Sequence, residues 1–397
     1  MTRPLRVLQF SGSDETFQFV MPLARALKDE GFEVYAAARK SGLGPDMAAD
    51  GVEFFDLPIT RRLNVPAIIR GVHRTARLLR RLKIDILQAH TYAGGMIGRL
   101  AGQLAGTPAV IYMGHGWLYT PWTGPLKKRV IVLSERVFRR MTDRFFLISQ
   151  EEYDVGLRDK ILVPGRCTRT LGVGIDCRAM SRAATDGDAR RLVRRSLGIH
   201  DDAWVCGFVG RIVAEKGLLE LGKAFAELHM SNHRARLLIV GSTTQSERDQ
   251  DCLTRLKNQL MSAGCLQAAV FAGRRSDVRE VLSACDAFAL PTYREGMPVA
   301  LLEAMAMELP CVATDIPGCR EEIVDGECGY IVPPMQVPPL TSRLMTLMRD
   351  PALSLRLGQA ARRRVVELFS LEKVLATQVG AYRDIRDELI CSGKLRD

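Results

Sequence analysis

A chain of 397 residues, 47% hydrophobic and 25% charged, has the composition of a folded protein and the length of two or three domains. That excludes a disordered tail, a coiled coil and a small disulfide-stapled scaffold. The formal charge of +11 is lopsided: the first 180 residues hold 27 basic and 17 acidic side chains, the remainder 29 and 28, so the front half calls for an anionic partner such as a membrane, a nucleic acid or a phosphorylated substrate.

The chain opens on a short apolar run, Leu5–Phe10, that ends at Ser11-Gly12-Ser13. A helical pattern from about Phe19 to Glu30 and a second strand at Glu33–Ala37 complete a β-loop-α-β unit, which implies a parallel sheet. The alternation continues with a strand at Ile84–Gln88, a helix from about Ala93 to Leu104, a strand at Ala109–Met113, a helix from about Leu126 to Met141 and a strand at Arg144–Ile148. Periodicity lapses over residues 179–195, which read as a linker into a short helix. It restarts at Val205–Val209 and runs through Leu237–Val240, Ala269–Phe271, Ala287–Leu290 and Cys311–Ala313, and Leu371–Leu389 is a last helical stretch. Two doubly wound α/β domains in tandem are therefore expected, at 1–178 and 196–368, with the helix of 369–397 packing back on the first. Ligands in such sheets lie beyond the carboxyl ends of the strands.

Two of those loops carry chemistry. After Val205–Val209 come Gly210, Arg211, Lys216 and Gly217. Each cation alone is an ordinary surface charge; together, on a glycine-bracketed loop that leads into a helix, they suit a diphosphate. After Ala287–Leu290 come Glu295, Gly296, Met297, Pro298, Val299 and Glu303. Pro298 fits the first turn of a helix, and the N–H groups of Gly296, Met297 and Val299 can then hold an anion. Glu303 sits one turn further in among apolar neighbours, where a carboxylate is costly unless it accepts hydrogen bonds; vicinal sugar hydroxyls are good donors.

The ten cysteines all fall between Cys167 and Cys391 without a CxxC pair. Reduced, mostly buried thiols are expected, with no zinc site. The N-terminus runs straight into a strand, and no run of ~18 apolar residues marks a membrane span. The expected location is the cytoplasm, peripheral on the inner face of the cell membrane. Two basic amphipathic stretches in the front half, Ile68–Lys83 and Lys127–Arg140, the second preceded by Trp117, Tyr119 and Trp122, read as membrane-surface elements. No nucleic-acid recognition motif is present.

The glutamate pair with seven residues between its members resembles the paired-glutamate motif of retaining glycosyltransferases with the GT-B fold. Gly210-Arg211 with Lys216-Gly217 resembles that family's pyrophosphate loop. Asp315–Glu321 and Gly329–Val332 are similar to its usual continuation, and Gly172–Asp176 to its inter-domain loop. The front half matches more loosely, through His90-Thr91 and His115-Gly116-Trp117. The resemblance is nearest to family 4 enzymes of bacterial polysaccharide and lipid-linked oligosaccharide assembly. Within these, Phe19–Pro22 and Gly273–Val278 resemble N-acetylhexosaminyltransferases that act on undecaprenyl diphosphate sugars.

The resemblance implies two Rossmann-like domains facing across a cleft. It implies a retaining enzyme that uses neither metal nor cofactor and moves a hexose or N-acetylhexosamine from a nucleotide sugar, UDP-linked, to a polyprenyl-diphosphate-linked saccharide. Arg211 and Lys216 would hold the diphosphate, Glu303 the ribose, and Glu295 with the amides of Gly296, Met297 and Val299 the donor sugar. Gly273 and Arg274 would meet the base, His115 would face the donor sugar, and Gly12 and His90 would touch the acceptor. The first loop has Ser11-Gly12-Ser13 where many relatives carry a Gly-Gly pair. A nucleotide-sugar epimerase of the same fold and a non-catalytic nucleotide-sugar-binding protein are the rival readings.

Overall fold

The structure, a computed structural model, describes residues 3–42, 44–59, 64–119, 123–184, 188–243 and 249–395. The chain divides into two compact units, Met1–Gly174 with Glu372–Asp397, and Ile175–Leu371.

The first unit is built on a seven-stranded sheet whose recorded pairings are all parallel. Its strands are β1 (Arg6–Phe10), β2 (Glu33–Ala38), β3 (Glu53–Asp56), β4 (Ile86–His90), β5 (Ala109–Met113), β6 (Arg144–Leu147) and β7 (Cys167–Arg169), in the order β3-β2-β1-β4-β5-β6-β7. Every residue of β4 and β5 is buried, as expected of central strands covered on both faces. The helix Tyr92–Ala105 lies close on them: a Cβ at Gly95 would stand 2.1 Å from the Tyr112 ring, so only glycine allows this approach.

The C-terminal helix, Leu371–Cys391, returns to this unit. Its Tyr382 is fully buried, edge-on to Phe32 and Phe146 at ring-centroid distances of 5.9 and 6.0 Å. Arg383 grips Glu30, and Arg144 reaches Glu388 at 2.7 Å.

The second unit carries β8 (Val205–Val209), β9 (Arg236–Val240), β10 (Ala269–Gly273), β11 (Ala287–Leu290), β12 (Cys311–Thr314) and β13 (Tyr330–Val332). All recorded pairings are parallel, in the order β10-β9-β8-β11-β12-β13. Both sheets are doubly wound, with the strand order reversing beside β1 in one and beside β8 in the other. Two parallel-sheet α/β domains are thus present. Residues 179–195, expected as a linker, belong to the second unit. They run into the helix Ala189–Ser196, whose Arg190 and Arg194 converge on Asp286 at 2.5 and 2.8 Å, with Arg194 only 1% exposed.

Candidate active site

In the second unit the loops after β8 and β11 diverge from neighbouring strands, the place where doubly wound sheets bind ligands. They are stitched together. The backbone N–H of Tyr293 and the hydroxyl of Thr292 both donate to the Glu215 carbonyl, at 2.9 and 3.2 Å. Gly217 has φ +70°, and a Cβ there would lie 1.9 Å from the Pro291 carbonyl oxygen, so glycine is needed for both the turn and the contact. Arg294 pairs with Glu215 at 2.9 Å. Lys216 and Glu295, one from each loop, form an ion pair, and each side chain is 14% exposed.

The surrounding backbone leaves donors available. Gly210 donates to Val240 and Gly241 to Gly273, at 3.0 and 2.8 Å. The Gly273 carbonyl accepts that bond, and Gly273 and Arg274 are both exposed. Arg211 is exposed at the mouth of the β8 loop. Pro298 stands just before the helix Val299–Ala306 rather than inside its first turn, with its carbonyl accepting from Leu301. The N–H groups of Gly296, Met297 and Val299 meet no acceptor among the described residues, and all three positions are partly exposed.

Glu303 projects from that helix between buried neighbours, and no side chain or backbone group among the described residues bonds its carboxyl. Desolvation pushes its pKa up to about 7.

A further carboxyl, missed from sequence, stands behind the pair. Glu322, at the end of the helix Pro317–Glu322, is 0% exposed, and neither of its oxygens has a partner among the described residues. Arg364 bonds the carbonyls of Glu321 and Glu322 rather than this carboxyl. Burial, then the charges of Glu295 and Glu321, hold Glu322 protonated well above the ordinary carboxyl range. The only signal in sequence was an acid next to Ile323 and Val324, too common a pattern to single out.

A consequence for stability follows. Through the interval between its ordinary pKa and its raised folded value, Glu322 binds a proton in the folded state and not in the unfolded one. Stability therefore falls as pH rises across that interval. Glu322→Gln removes this dependence. The Tm of the variant should match the wild type near the ordinary carboxyl pKa and exceed it by a margin that widens with pH; a margin constant with pH would mean that Glu322 is not held protonated.

In the first unit the loops after β1, β4 and β5 hold Gly12, Thr91 and His115. Gly12 lies against the turn that starts the helix Tyr92–Ala105, where a Cβ on Gly94 would stand 3.0 Å from the Gly12 nitrogen. His115 has φ +58°, a sparsely populated region for a residue with a side chain. Its ring stacks on His90, with centroids 5.6 Å apart. His90 itself is 1% exposed and has both ring nitrogens engaged, by Gln9 at 2.8 Å and His115 at 3.4 Å. Contact with an acceptor is therefore not its direct part; His115 is the ring that stands partly exposed. Desolvation lowers the pKa of His115 to about 4 and keeps His90 neutral as well.

The two basic stretches differ. The helix Val65–Arg81 turns Leu78, Leu79 and Ala76 into the core and leaves Arg70, Arg74, Arg77 and Arg80 outside, an ordinary amphipathic helix. The helix Pro125–Phe138 buries Ile131 and Val132 yet also exposes a second apolar stripe, Leu126, Val130, Leu133 and Val137, at 49–76%. Lys127, Arg129 and Arg140 are exposed with it. The aromatic flank is not part of that surface: Tyr119 is buried, and Trp117 stacks on it with its indole N–H bonded to the Glu152 carbonyl at 2.8 Å. Trp122 lies outside the described residues. Among the described residues no helix is long and apolar enough to cross a membrane.

Comparison with known proteins assigns both halves. Residues 189–364 match the family model for glycosyl transferases group 1, and residues 18–164 match that for a glycosyl transferase 4-like domain. The chain is 25% identical over 349 residues to an Escherichia coli protein named UDP-Gal:alpha-D-GlcNAc-diphosphoundecaprenol alpha-1,3-galactosyltransferase, covering 87% of this chain and 88% of that one. It is 23% identical over 350 residues to the N,N'-diacetylbacillosaminyl-diphospho-undecaprenol alpha-1,3-N-acetylgalactosaminyltransferase of Campylobacter jejuni, covering 87% and 89%. The fold matches that of Anabaena HepE, solved in complex with UDP, with a TM-score of 0.79 at 18% identity over 96% of this chain and 100% of that one. The chain is a GT-B glycosyltransferase of the family 4 type.

Proposed function

We propose that this glycosyltransferase moves a hexose or N-acetylhexosamine from a UDP-sugar to a polyprenyl-diphosphate-linked saccharide, with retention and without a metal ion. The observation that carries the reading is the cluster of Lys216, Glu295, Glu303 and the unpartnered amides of Gly296, Met297 and Val299 at the reversal point of the second sheet. The printed names of the Escherichia coli and Campylobacter relatives support the lipid-linked acceptor, and the first of them, with the UDP bound to HepE, supports a uridine donor.

In this account the bond from the anomeric carbon to the β-phosphate oxygen breaks, and its electron pair goes to the diphosphate. Lys216, Arg211 and the amide donors stabilise that charge as it grows, fixed in place before the reaction. The ionised Glu303 accepts from the ribose hydroxyls, Arg274 meets the base, and Glu295 contacts the sugar. The reading assigns no side chain the part of a nucleophile. The acceptor hydroxyl bonds to the anomeric carbon on the face the diphosphate leaves and passes its proton to the departing phosphate. His115 meets a substrate hydroxyl, and Gly12 lines the acceptor side. Because cationic side chains supply the charge a metal would, transfer from UDP-sugar to a lipid-linked acceptor should persist in excess EDTA; activity lost to EDTA and restored by magnesium or manganese would overturn that point.

The same reading puts the enzyme on the inner membrane surface through the helix Pro125–Phe138. Its exposed stripe of Leu126, Val130, Leu133 and Val137, flanked by cations, suits insertion at the headgroup boundary. Each basic residue near an anionic surface adds about 1 kcal/mol, which salt screens. The protein should sediment with anionic vesicles at low salt and be released as salt rises, and Val130→Glu with Leu133→Glu should abolish sedimentation. Wild-type binding by that double variant would remove this helix from the membrane, and no binding by the native chain would point to a soluble acceptor.

A further inference from the structure

A chain of buried polar side chains runs inward from His115 and ends on the C-terminal helix. His115 Nε2 faces His90 Nδ1 at 3.4 Å, and His90 Nε2 faces Gln9 Oε1 at 2.8 Å. Gln9 Nε2 donates to the Tyr382 hydroxyl at 3.0 Å, and that hydroxyl donates to Gln88 Oε1. Gln88 Nε2 lies 3.8 Å from the sulfur of Met113. Gln9, Gln88, His90 and Tyr382 are each no more than 1% exposed, so the chain is closed to bulk solvent. The mechanism above uses none of them.

The far end sets the direction of every bond. A thioether sulfur accepts but cannot donate, so the amide nitrogen of Gln88 faces Met113 and its oxygen faces Tyr382. The phenol must then donate to Gln88 and accept from Gln9. The Gln9 oxygen is left to accept from His90, which is therefore protonated on Nε2. A neutral imidazole carries one N–H, so His90 Nδ1 is bare and accepts from His115 Nε2–H. The remaining nitrogen of His115, Nδ1, then holds a lone pair with no donor for it among the described residues. Glu152 does not intervene: its two oxygens accept from the backbone N–H groups of Gly116 and Ile148, at 3.1 and 2.7 Å.

We propose that Tyr382 is a positioning residue that fixes the polarity of this relay, so that His115 presents a bare Nδ1 and serves transfer as an acceptor for a substrate hydroxyl. His115 accordingly selects an O–H and not a carbonyl or phosphate oxygen. The inference rests on the transfer reading for its catalytic meaning, but the state of the rings does not depend on it. The phenol acts because its hydroxyl donates and accepts through one atom between the two amides. In Tyr382→Phe Gln88 stays oriented by Met113, but Gln9 loses the acceptor that orients it, so it can turn over and offer its N–H to His90, and both imidazoles can reverse.

The test is a long-range proton–nitrogen correlation spectrum of the full chain labelled with ¹⁵N-histidine, with His90 and His115 assigned through His→Asn variants. In the wild type both rings should be neutral Nε2–H tautomers at about pH 7. Tyr382→Phe should add the Nδ1–H form and lower kcat about tenfold at unchanged donor KM, the scale of one hydrogen bond. A wild-type His115 that is protonated on Nδ1 overturns the proposal without any variant. So does a Tyr382→Phe protein with a lower Tm but wild-type tautomers and kcat. If the chain transferred no sugar at all, the spectra would still decide the polarity of the relay, and the two failures would stay distinct.

Discussion

Lys216→Ala should lower the turnover of sugar transfer ~10²–10³-fold, the usual cost of removing one preorganised donor to a developing negative charge, while the fold survives. The lysine is held where it can act: the turn Ala214–Lys216 is closed by Gly217, and its backbone is bonded to the loop after β11. Its partner Glu295 keeps the ammonium in place without donor. Removal also leaves the Glu295 carboxylate, 14% exposed, without its cation and with the buried Glu322 behind it. Arg211→Ala should act in the same direction. Steady-state kinetics with the melting temperature as a control make the measurement. Near-normal turnover in both variants would take the diphosphate away from this loop.

Glu303→Gln should weaken free UDP and UDP-sugar alike, about 10–100-fold, since two hydrogen bonds to a charged acceptor are replaced by weaker ones. The wild-type carboxyl titrates at about 7 because it is desolvated and unpaired. Ribose hydroxyls favour its ionised form, so UDP binding near neutral pH should release protons, and affinity should fall as pH drops below 7. Titration calorimetry in two buffers of different ionisation enthalpy reads the release, which Glu303→Gln should abolish. Glu295→Ala, whose proposed contact is the sugar, should leave UDP affinity near normal. Equal loss of UDP binding in both variants would contradict this division of roles.

The parallel alternation of the fold was legible because buried strands flanked by helices leave continuous apolar runs, as in β4, β5 and β11. The strands that escaped detection were β3, β7 and β13, short edge or outer strands. The sequence Glu53–Asp56 is bounded by acids, and Cys167–Arg169 has no apolar residue beyond the cysteine. Residues 179–195 looked like a linker because they are polar and small, with five arginines among them. The structure uses two of those arginines as anchors on Asp286, and composition cannot tell a solvated arginine from a paired one. At the site, local spacing pointed to Lys216, Glu295 and Glu303, since each lies on a loop or helix directly after a strand. What spacing could not reveal was partnership across the chain. Glu322 is distinguished only by burial and by a carboxyl with no bonding partner among the described residues, and the Gln9–Tyr382 bond joins residues 373 positions apart. His90 shared a strand end with the expected acceptor contacts, yet its ring turns inward to Gln9.

The central claim is that a sugar leaves a nucleotide and reaches a lipid-linked acceptor in one step at the same face. A UDP-sugar carrying ¹³C at its anomeric carbon, incubated with the protein and a polyprenyl-diphosphate-linked N-acetylhexosamine, tests it by NMR. The account predicts that free UDP and a new glycoside appear in equal amounts, with the label in the lipid-linked product and the anomeric configuration of the donor. Label that stays in the nucleotide sugar with inverted ring stereochemistry would make the protein an epimerase, and a glycoside of the opposite anomeric configuration would contradict the mechanism.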